Sequence, residues 1–129
     1  MKRILVVDDE PTVIRVLRLA LERAGYEVTK ANNGEEALER IHEQIPDAVI
    51  TDIEMPYLDG EGLCRRIEAE MPDRKFPLFV VTSLTAMEHR RWSDNIPNLH
   101  FLEKPISARR LLARLSEYFN AETNAALSP

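Results

Sequence analysis

Three acids, Asp8, Asp9 and Asp52, stand at the ends of short apolar runs, and a fourth, Glu54, comes two residues after Asp52. Thr82 and Ser83 close a further run of this kind, and Lys104 comes shortly after another, directly before Pro105. Carboxylates gathered in one place repel one another and raise each other's proton affinity unless a cation sits among them. With oxygen ligands alone the suitable ion is a hard one such as Mg²⁺, which keeps several waters and takes a few carboxylates together with a phosphate oxygen. Hydroxyl donors and an ammonium complete a set suited to phosphoryl transfer, where positioning and charge neutralisation do most of the work. A carboxylate is a competent nucleophile toward phosphorus, which makes Asp52 the candidate for an aspartyl-phosphate. Any one of these residues alone reads as a strand-end cap or a solvated turn. The weight lies in finding all of them at such ends.

The elements that must position them are legible from hydrophobic patterning. Five apolar runs, Ile4 to Val7, Tyr26 to Ala31, Ala48 to Thr51, Leu78 to Thr82 and Leu99 to Leu102, mostly lack alternation, as strands covered on both faces of a parallel sheet do. Between them Val13, Ile14, Leu17, Leu21 and Ala24 repeat at helical spacing, with Pro11 suited to the first turn and Gly25 to the C-terminal cap. A second helix begins after Asn33-Gly34 with Ala37, Leu38, Ile41 and Ile45 as its stripe, stopped by Pro46. A third begins near Asp59-Gly60, carries Leu63, Ile67 and Met71, and ends at Pro72; the last begins after Ser107 and carries Leu111, Leu112, Leu115, Tyr118 and Phe119. Between the fourth and fifth strands "LTAMEHRRWSDNIPN" has no continuous stripe and contains Pro97, so a short, irregular or mobile helix is expected there. After Phe119 the small polar residues 120–129 read as a flexible tail or the start of a linker, leaving residues 1–119 as one domain.

Strands and helices in alternation imply an α/β fold: a doubly wound, five-stranded parallel sheet in a three-layer sandwich. The common order for five such strands is 2-1-3-4-5, with the ligand site beyond the carboxyl ends of strands 1 and 3. That rule sends Asp8, Asp9 and Asp52 to one crevice, with Thr82, Ser83 and Lys104 at its side.

Composition excludes several alternatives. The chain has 129 residues, 44% hydrophobic and 30% charged, as ordinary globular proteins do. A net charge of -5 argues against nucleic-acid binding by this domain, which requires a clustered excess of Lys and Arg. The opening "MKRILVVDDE" lacks the long apolar stretch of a signal peptide, so a cytoplasmic location with no membrane contact is expected. Cys64 is the single cysteine, which excludes an internal disulfide and a thiolate metal cage. His42, His89 and His100 show no ligand spacing. Arg109, Arg110 and Arg114 read first as a solvated face of the last helix.

Taken together, the pair Asp8-Asp9, the stretch "DIEMPYLDG" from Asp52 to Gly60, Thr82 and "FLEKP" ending at Lys104-Pro105 resemble the receiver domain of two-component response regulators, the CheY-like family. The resemblance covers residues 2 to about 119. It implies a phosphoacceptor signalling domain rather than an enzyme, autophosphorylated by small phosphodonors and slowly autodephosphorylated. It implies that Asp52 takes a phosphoryl group from a histidine kinase or phosphotransfer protein, and that Asp9, Asp52 and the Glu54 carbonyl hold Mg²⁺, with Asp8 acting mostly through water. Thr82 and Lys104 would bind the phosphoryl oxygens, Thr82 and Phe101 would form the switch, and Glu54 and Ser83 would tune the lifetime of the acyl phosphate. The face built from the fourth helix, fifth strand and fifth helix would then meet a downstream effector, or a second copy in a homodimer. The Lys104-Pro105 bond is expected to be cis. A hydrolase of the haloacid-dehalogenase type shares an aspartyl nucleophile, hydroxyl and lysine, but places its nucleophile on the first strand in D-x-D form; here the acidic pair comes first and Asp52-Ile53-Glu54 lacks the second Asp.

Overall fold

The computed structural model describes the backbone of residues 1–83 and 90–127 and the side chains of residues 1–83 and 91–121. Along the chain run β1 (Arg3–Val7), α1 (Pro11–Arg23), β2 (Glu27–Ala31), α2 (Gly34–Glu43), β3 (Ala48–Asp52), α3 (Gly60–Glu70), β4 (Leu78–Thr82), a 3₁₀ turn (Arg90–Ser93), β5 (Leu99–Glu103) and α4 (Ala108–Leu127). All strands are parallel and lie in the order β2-β1-β3-β4-β5, as the patterning implies.

The sheet separates two cores. Ile4, Val6, Ile50, Phe79, Val81 and Leu102 point to one face, where α1 contributes Ile14, Leu17 and Leu21 and α4 contributes Leu111, Leu115 and Phe119. Leu5, Val7, Val49, Leu78 and Val80 point to the other, against Ala37, Leu38 and Ile41 of α2 and Leu63, Cys64 and Ile67 of α3. Every residue of β3 and β4 is buried, which accounts for their unbroken apolar runs; the edge strands β2 and β5 are only partly covered.

Helix ends obey local chemistry. Pro11 opens α1 and Gly25 turns the chain after it at φ 97°. The side chains of Asn33 and Asp59 cap α2 and α3 by accepting from the amides of Glu36 (2.9 Å) and Gly62 (2.7 Å). Ser107 Oγ accepts from the Arg110 amide at 3.0 Å at the start of α4. The Lys104–Pro105 bond is cis.

Two expectations are corrected. α2 stops at Glu43, so Ile45 lies off its stripe and is 58% exposed. The residue before Pro46 is pushed out of the helical region, and the turn that would have carried Ile45 inward cannot form. At the other end α4 runs past Phe119 to Leu127, so residues 120–127 are helical and not an irregular tail; Ala is the strongest helix former, and neither Gly nor Pro occurs before Pro129. The helix expected between strands 4 and 5 falls mostly on residues 84–89, outside the described residues; the 3₁₀ turn Arg90–Ser93 comes directly after them.

Two glycines let the loop after β3 close on the end of that strand and on α2. A Cβ on Gly60 would lie 2.5 Å from the Asp52 carbonyl oxygen and 2.8 Å from Ile53 Cα, and one on Gly34 would lie 2.6 Å from the Leu58 carbonyl oxygen. Gly60→Ala is therefore expected to destabilise the domain by about 1–3 kcal/mol through overpacking against backbone. Gly25→Ala, with nothing within 4 Å of the added carbon, should cost about 1–2 kcal/mol from its left-handed conformation alone. Urea denaturation of both variants checks this. Only Gly60→Ala should also disturb the amide resonances of Asp52 and Ile53.

Candidate acceptor and metal site

β1 and β3 are neighbours at the point where the strand order reverses, and both end at the same edge of the sheet. Asp52 is the last residue of β3 and only 8% exposed; Asp8, just past β1, is 9% exposed, while Asp9 is open to solvent. One carboxylate oxygen from each of the three lies within 4.8 Å of the others, a grouping that could hold a metal ion. The donor set is all oxygen and triply acidic, which fits a hard divalent cation.

The backbone prepares these carboxylates. The Ile53 amide donates to Asp52 Oδ1 at 3.0 Å and the Glu10 amide to Asp8 Oδ1 at 2.9 Å. Lys104 Nζ lies 2.7 Å from Asp52 Oδ1, and its own amide donates to the Thr82 carbonyl at 2.8 Å, which carries the β4–β5 ladder one step past the strands. The lysine is thereby delivered to the acid by the backbone as well as by charge.

Two groups titrate away from their ordinary values. Burial pushes the Asp8 carboxyl up to about 6, opposed by the Glu10 amide and assisted by the charges of Asp52, Asp9 and Glu10. Burial alone would lower the Lys104 ammonium, but the hydrogen bond to Asp52 and the charges of Asp52, Asp8 and Glu54 outweigh it and raise the value. Lysine therefore stays charged, and Asp8 takes up a proton at a higher pH than an ordinary carboxylate.

Two hollows lie on either side of the end of β3. One of about 570 Å³ is lined by Asp8, Asp52, Lys104 and Pro105 with the apolar Val13 and Leu17. The second, about 390 Å³, is lined by Glu54, Met55, Thr82, Trp92 and Phe101. Thr82 is almost fully buried and its hydroxyl donates to the Ser83 carbonyl at 3.4 Å. Asp8, Asp9, Asp52 and Lys104 thus meet directly, while Thr82, Glu54 and Phe101 border the neighbouring hollow. Ser83 stands just after Thr82, at the exposed end of β4.

Sequence reasoning missed three contributors. Trp92 packs edge-to-face on Phe101 with ring centroids 5.8 Å apart, although it comes from a stretch without readable periodicity. Met55 Sδ accepts from the buried Thr51 hydroxyl at 4.0 Å, and Gly34 clamps Leu58 from a different helix. Only the Asn33-Gly34 pair carried a signal, and it spoke for a helix start.

Comparison with known proteins gives one family. The response regulator receiver domain matches residues 4–116. The chain is 35% identical over 127 residues to a probable transcriptional regulator ycf27 of Guillardia theta, covering 98% of this chain and 49% of that protein. It is 32% identical to the alkaline phosphatase synthesis transcriptional regulatory protein PhoP of Bacillus subtilis (strain 168), covering 98% and 52%. Among solved structures, a CheY-like receiver domain protein from Methanospirillum hungatei JF-1 superposes with a TM-score of 0.86 at 27% identity, over 97% of this chain and 98% of the other. The chain spans about half the length of the curated relatives it matches.

The raised Asp8 value has a measurable sign. Its folded value of about 6 lies above the ordinary 3.8, so the stability it contributes is complete below the ordinary value and is lost as pH rises through 6. Asp8→Asn removes that loss. Without divalent metal, the variant should be more stable than the parent at pH 7.5, by about 1–2 kcal/mol after solvent screening, and the two should converge near pH 4. Thermal melts in chelator across that range check this; a parallel decline of both proteins with pH would refute it.

Proposed function

The chain belongs to the response regulator receiver domain family of two-component signalling, and from that premise we propose that Asp52 is its phosphoacceptor and Mg²⁺ its cofactor. The observation that carries the reading is the position of Asp52: a nearly buried carboxylate, 2.7 Å from the Lys104 ammonium and grouped with two further acids at the switch point of the sheet.

The proposed reaction is an in-line displacement. An Asp52 carboxylate oxygen forms a bond to phosphorus as the bond from phosphorus to the imidazole nitrogen of a donor phosphohistidine breaks, and the imidazole leaves with the electron pair. Asp9 and Asp52, with the Glu54 carbonyl and with Asp8 through water, would hold Mg²⁺, which when bound offsets the charge of the carboxylates and the incoming phosphoryl group. Lys104 gives up Asp52 Oδ1 for a phosphoryl oxygen, and the Thr82 hydroxyl turns from the Ser83 carbonyl to another. The added charge of about -1.5 to -2 then draws Thr82 inward, and Phe101 moves with it. Glu54 and Ser83 border the path of the water that later hydrolyses the acyl phosphate and so set its lifetime. The same chemistry permits phosphorylation by small donors and a slow return, with no turnover of an external substrate.

On this reading the donor is a cytoplasmic histidine kinase or phosphotransfer protein. The output is carried by a face that includes β5 and α4, read by an effector protein, an effector domain or a second copy of the domain. Two of the relatives named above are transcriptional regulators about twice as long, which supports gene control as the downstream process. Residues 1–119 are taken as the receiver unit, and no helix among the described residues is long and apolar enough to cross a membrane.

Intact mass after incubation with acetyl phosphate tests the reading. A gain of one phosphoryl group that needs Mg²⁺ and is absent in Asp52→Asn is the expected result. A folded, Mg²⁺-binding protein that acquires no adduct would overturn it. In the same assay Glu54→Ala should change the rate at which the adduct disappears severalfold without changing the mass gained.

A further inference from the structure

Among the described residues, the buried polar or charged side chains are Asp8, Thr51, Asp52 and Thr82. Asp8, Asp52 and Thr82 belong to the site already described. Thr51 does not, and it is fully buried. In register it lies between Val7 of β1 and Val80 of β4. Two residues along the strand from Val49, it shares the face of Val7, Val49 and Val80, toward the core closed by α2 and α3. Packing alone would place a further valine there. Threonine keeps valine's branched shape and adds a hydroxyl, which is costly to bury unless it is hydrogen-bonded.

The hydroxyl has a definite partner. Thr51 Oγ1 donates to the carbonyl oxygen of Asp52 at 2.9 Å, and the Met55 sulfur at 4.0 Å is the weaker alternative for the same hydrogen. Neighbouring residues of a central strand pair to opposite sides, and Ile53 pairs with β4 through a 3.1 Å bond to the Val81 carbonyl. The Asp52 carbonyl therefore faces β1, one residue past the end of the β1–β3 ladder at Val7 and Thr51. The hydroxyl supplies the donor that the ladder lacks.

The peptide group that carries this oxygen also carries the Ile53 amide. Besides Val81, that amide donates to Asp52 Oδ1 at 3.0 Å. A peptide group is planar, so fixing its oxygen fixes the direction of its N–H, and a hydrogen bond at the carbonyl strengthens the one at the amide. Oδ1 is also the oxygen that Lys104 Nζ meets at 2.7 Å. Both contacts of the carboxylate thus fall on one oxygen, and among the described residues none falls on Oδ2.

We infer that Thr51 is a positioning residue for Asp52. Its hydroxyl holds the plane of the 52–53 peptide, and through the Ile53 amide that plane holds the carboxylate in the side-chain rotamer that brings Oδ1 to Lys104 and leaves Oδ2 free. Thr51 itself touches no reacting atom. The inference rests on the proposed function, in which Asp52 attacks phosphorus, and it gives the orientation of that carboxylate a cause inside β3. Valine at position 51 would keep shape and packing but release the peptide plane, so the carboxylate would sample other rotamers. Serine would keep the hydroxyl and lose only a methyl group.

The test uses the full chain with Thr51→Val, Thr51→Ala and Thr51→Ser, each checked for folding by circular dichroism. Three-bond couplings from Asp52 Cγ to its own backbone nitrogen and carbonyl carbon, read without Mg²⁺ on ¹³C,¹⁵N-labelled protein, report the side-chain rotamer. A single dominant rotamer is expected in the parent and in Thr51→Ser, and averaging in the two variants that lack the hydroxyl. At saturating Mg²⁺ the rate of mass gain from acetyl phosphate is expected to fall about tenfold in Thr51→Val and Thr51→Ala and to be largely restored in Thr51→Ser. Averaging already present in the parent, couplings or a rate unchanged by loss of the hydroxyl, or a serine variant no better than valine would each overturn the inference. A parent that takes no phosphoryl group, yet loses its single rotamer in Thr51→Val and keeps it in Thr51→Ser, retains the link from Thr51 to Asp52 and loses the functional reading. A parent that is phosphorylated on Asp52, with rotamer and rate indifferent to Thr51→Val, does the reverse.

Discussion

Bringing three carboxylates to within 4.8 Å of one another at the end of a buried sheet is the constraint on which the rest of this structure depends. Two of the three are nearly buried, so neither solvent nor distance relieves their repulsion. The protein answers with a fixed cation, Lys104, with backbone amides aimed at Asp8 and Asp52, and with an Asp8 carboxyl whose value is pushed up to about 6. Such an arrangement rests in an unfavourable balance that further positive charge improves. A hard divalent cation among the three acids would supply that charge.

Holding that balance requires the strand ends to be immobile. β3 is buried on both faces and paired on both edges, so Asp52 cannot retreat from the crevice without unpacking the centre of the sheet. The loop after β3 is pinned at two points where only glycine fits, Gly60 against the Asp52 carbonyl and Gly34 against Leu58. Between the pins Tyr57 adopts φ 68°, a left-handed conformation that is costly for a bulky side chain. Rigidity at Asp52 thus comes from the sheet, while the left-handed Tyr57 sits at a loop position whose side chain is exposed.

Legibility from sequence divides along the same line. The five strands, their order and the gathering of Asp8, Asp9, Asp52 and Lys104 were legible because each depends on a local pattern plus one topological rule. Ile45 was assigned to the α2 stripe because periodicity extends to it, while the constraint that Pro46 places on its predecessor acts on backbone and not on pattern. The helical run through residues 120–127 was missed because it lacks an apolar stripe, although propensity favours it. Gly34 against Leu58 and Trp92 against Phe101 were invisible for a different reason. Each is a contact between residues distant in the chain, with no periodic or compositional signature.

The geometry also bounds how strongly phosphorylation can drive the domain. Lys104 already bonds Asp52, so on the proposed reading its transfer to a phosphoryl oxygen would exchange one charged hydrogen bond for another and contribute little net bias. Thr82 is different: its present bond is a 3.4 Å contact to a neighbouring carbonyl, and a charged acceptor would improve on it. One hydrogen bond to a charged group contributes about 1.5–3 kcal/mol, a shift of roughly ten- to a hundredfold in a two-state equilibrium. Complete conversion from one state to the other needs about 5.5 kcal/mol. On the proposed reading the phosphoryl group alone therefore biases the Phe101 equilibrium without exhausting it.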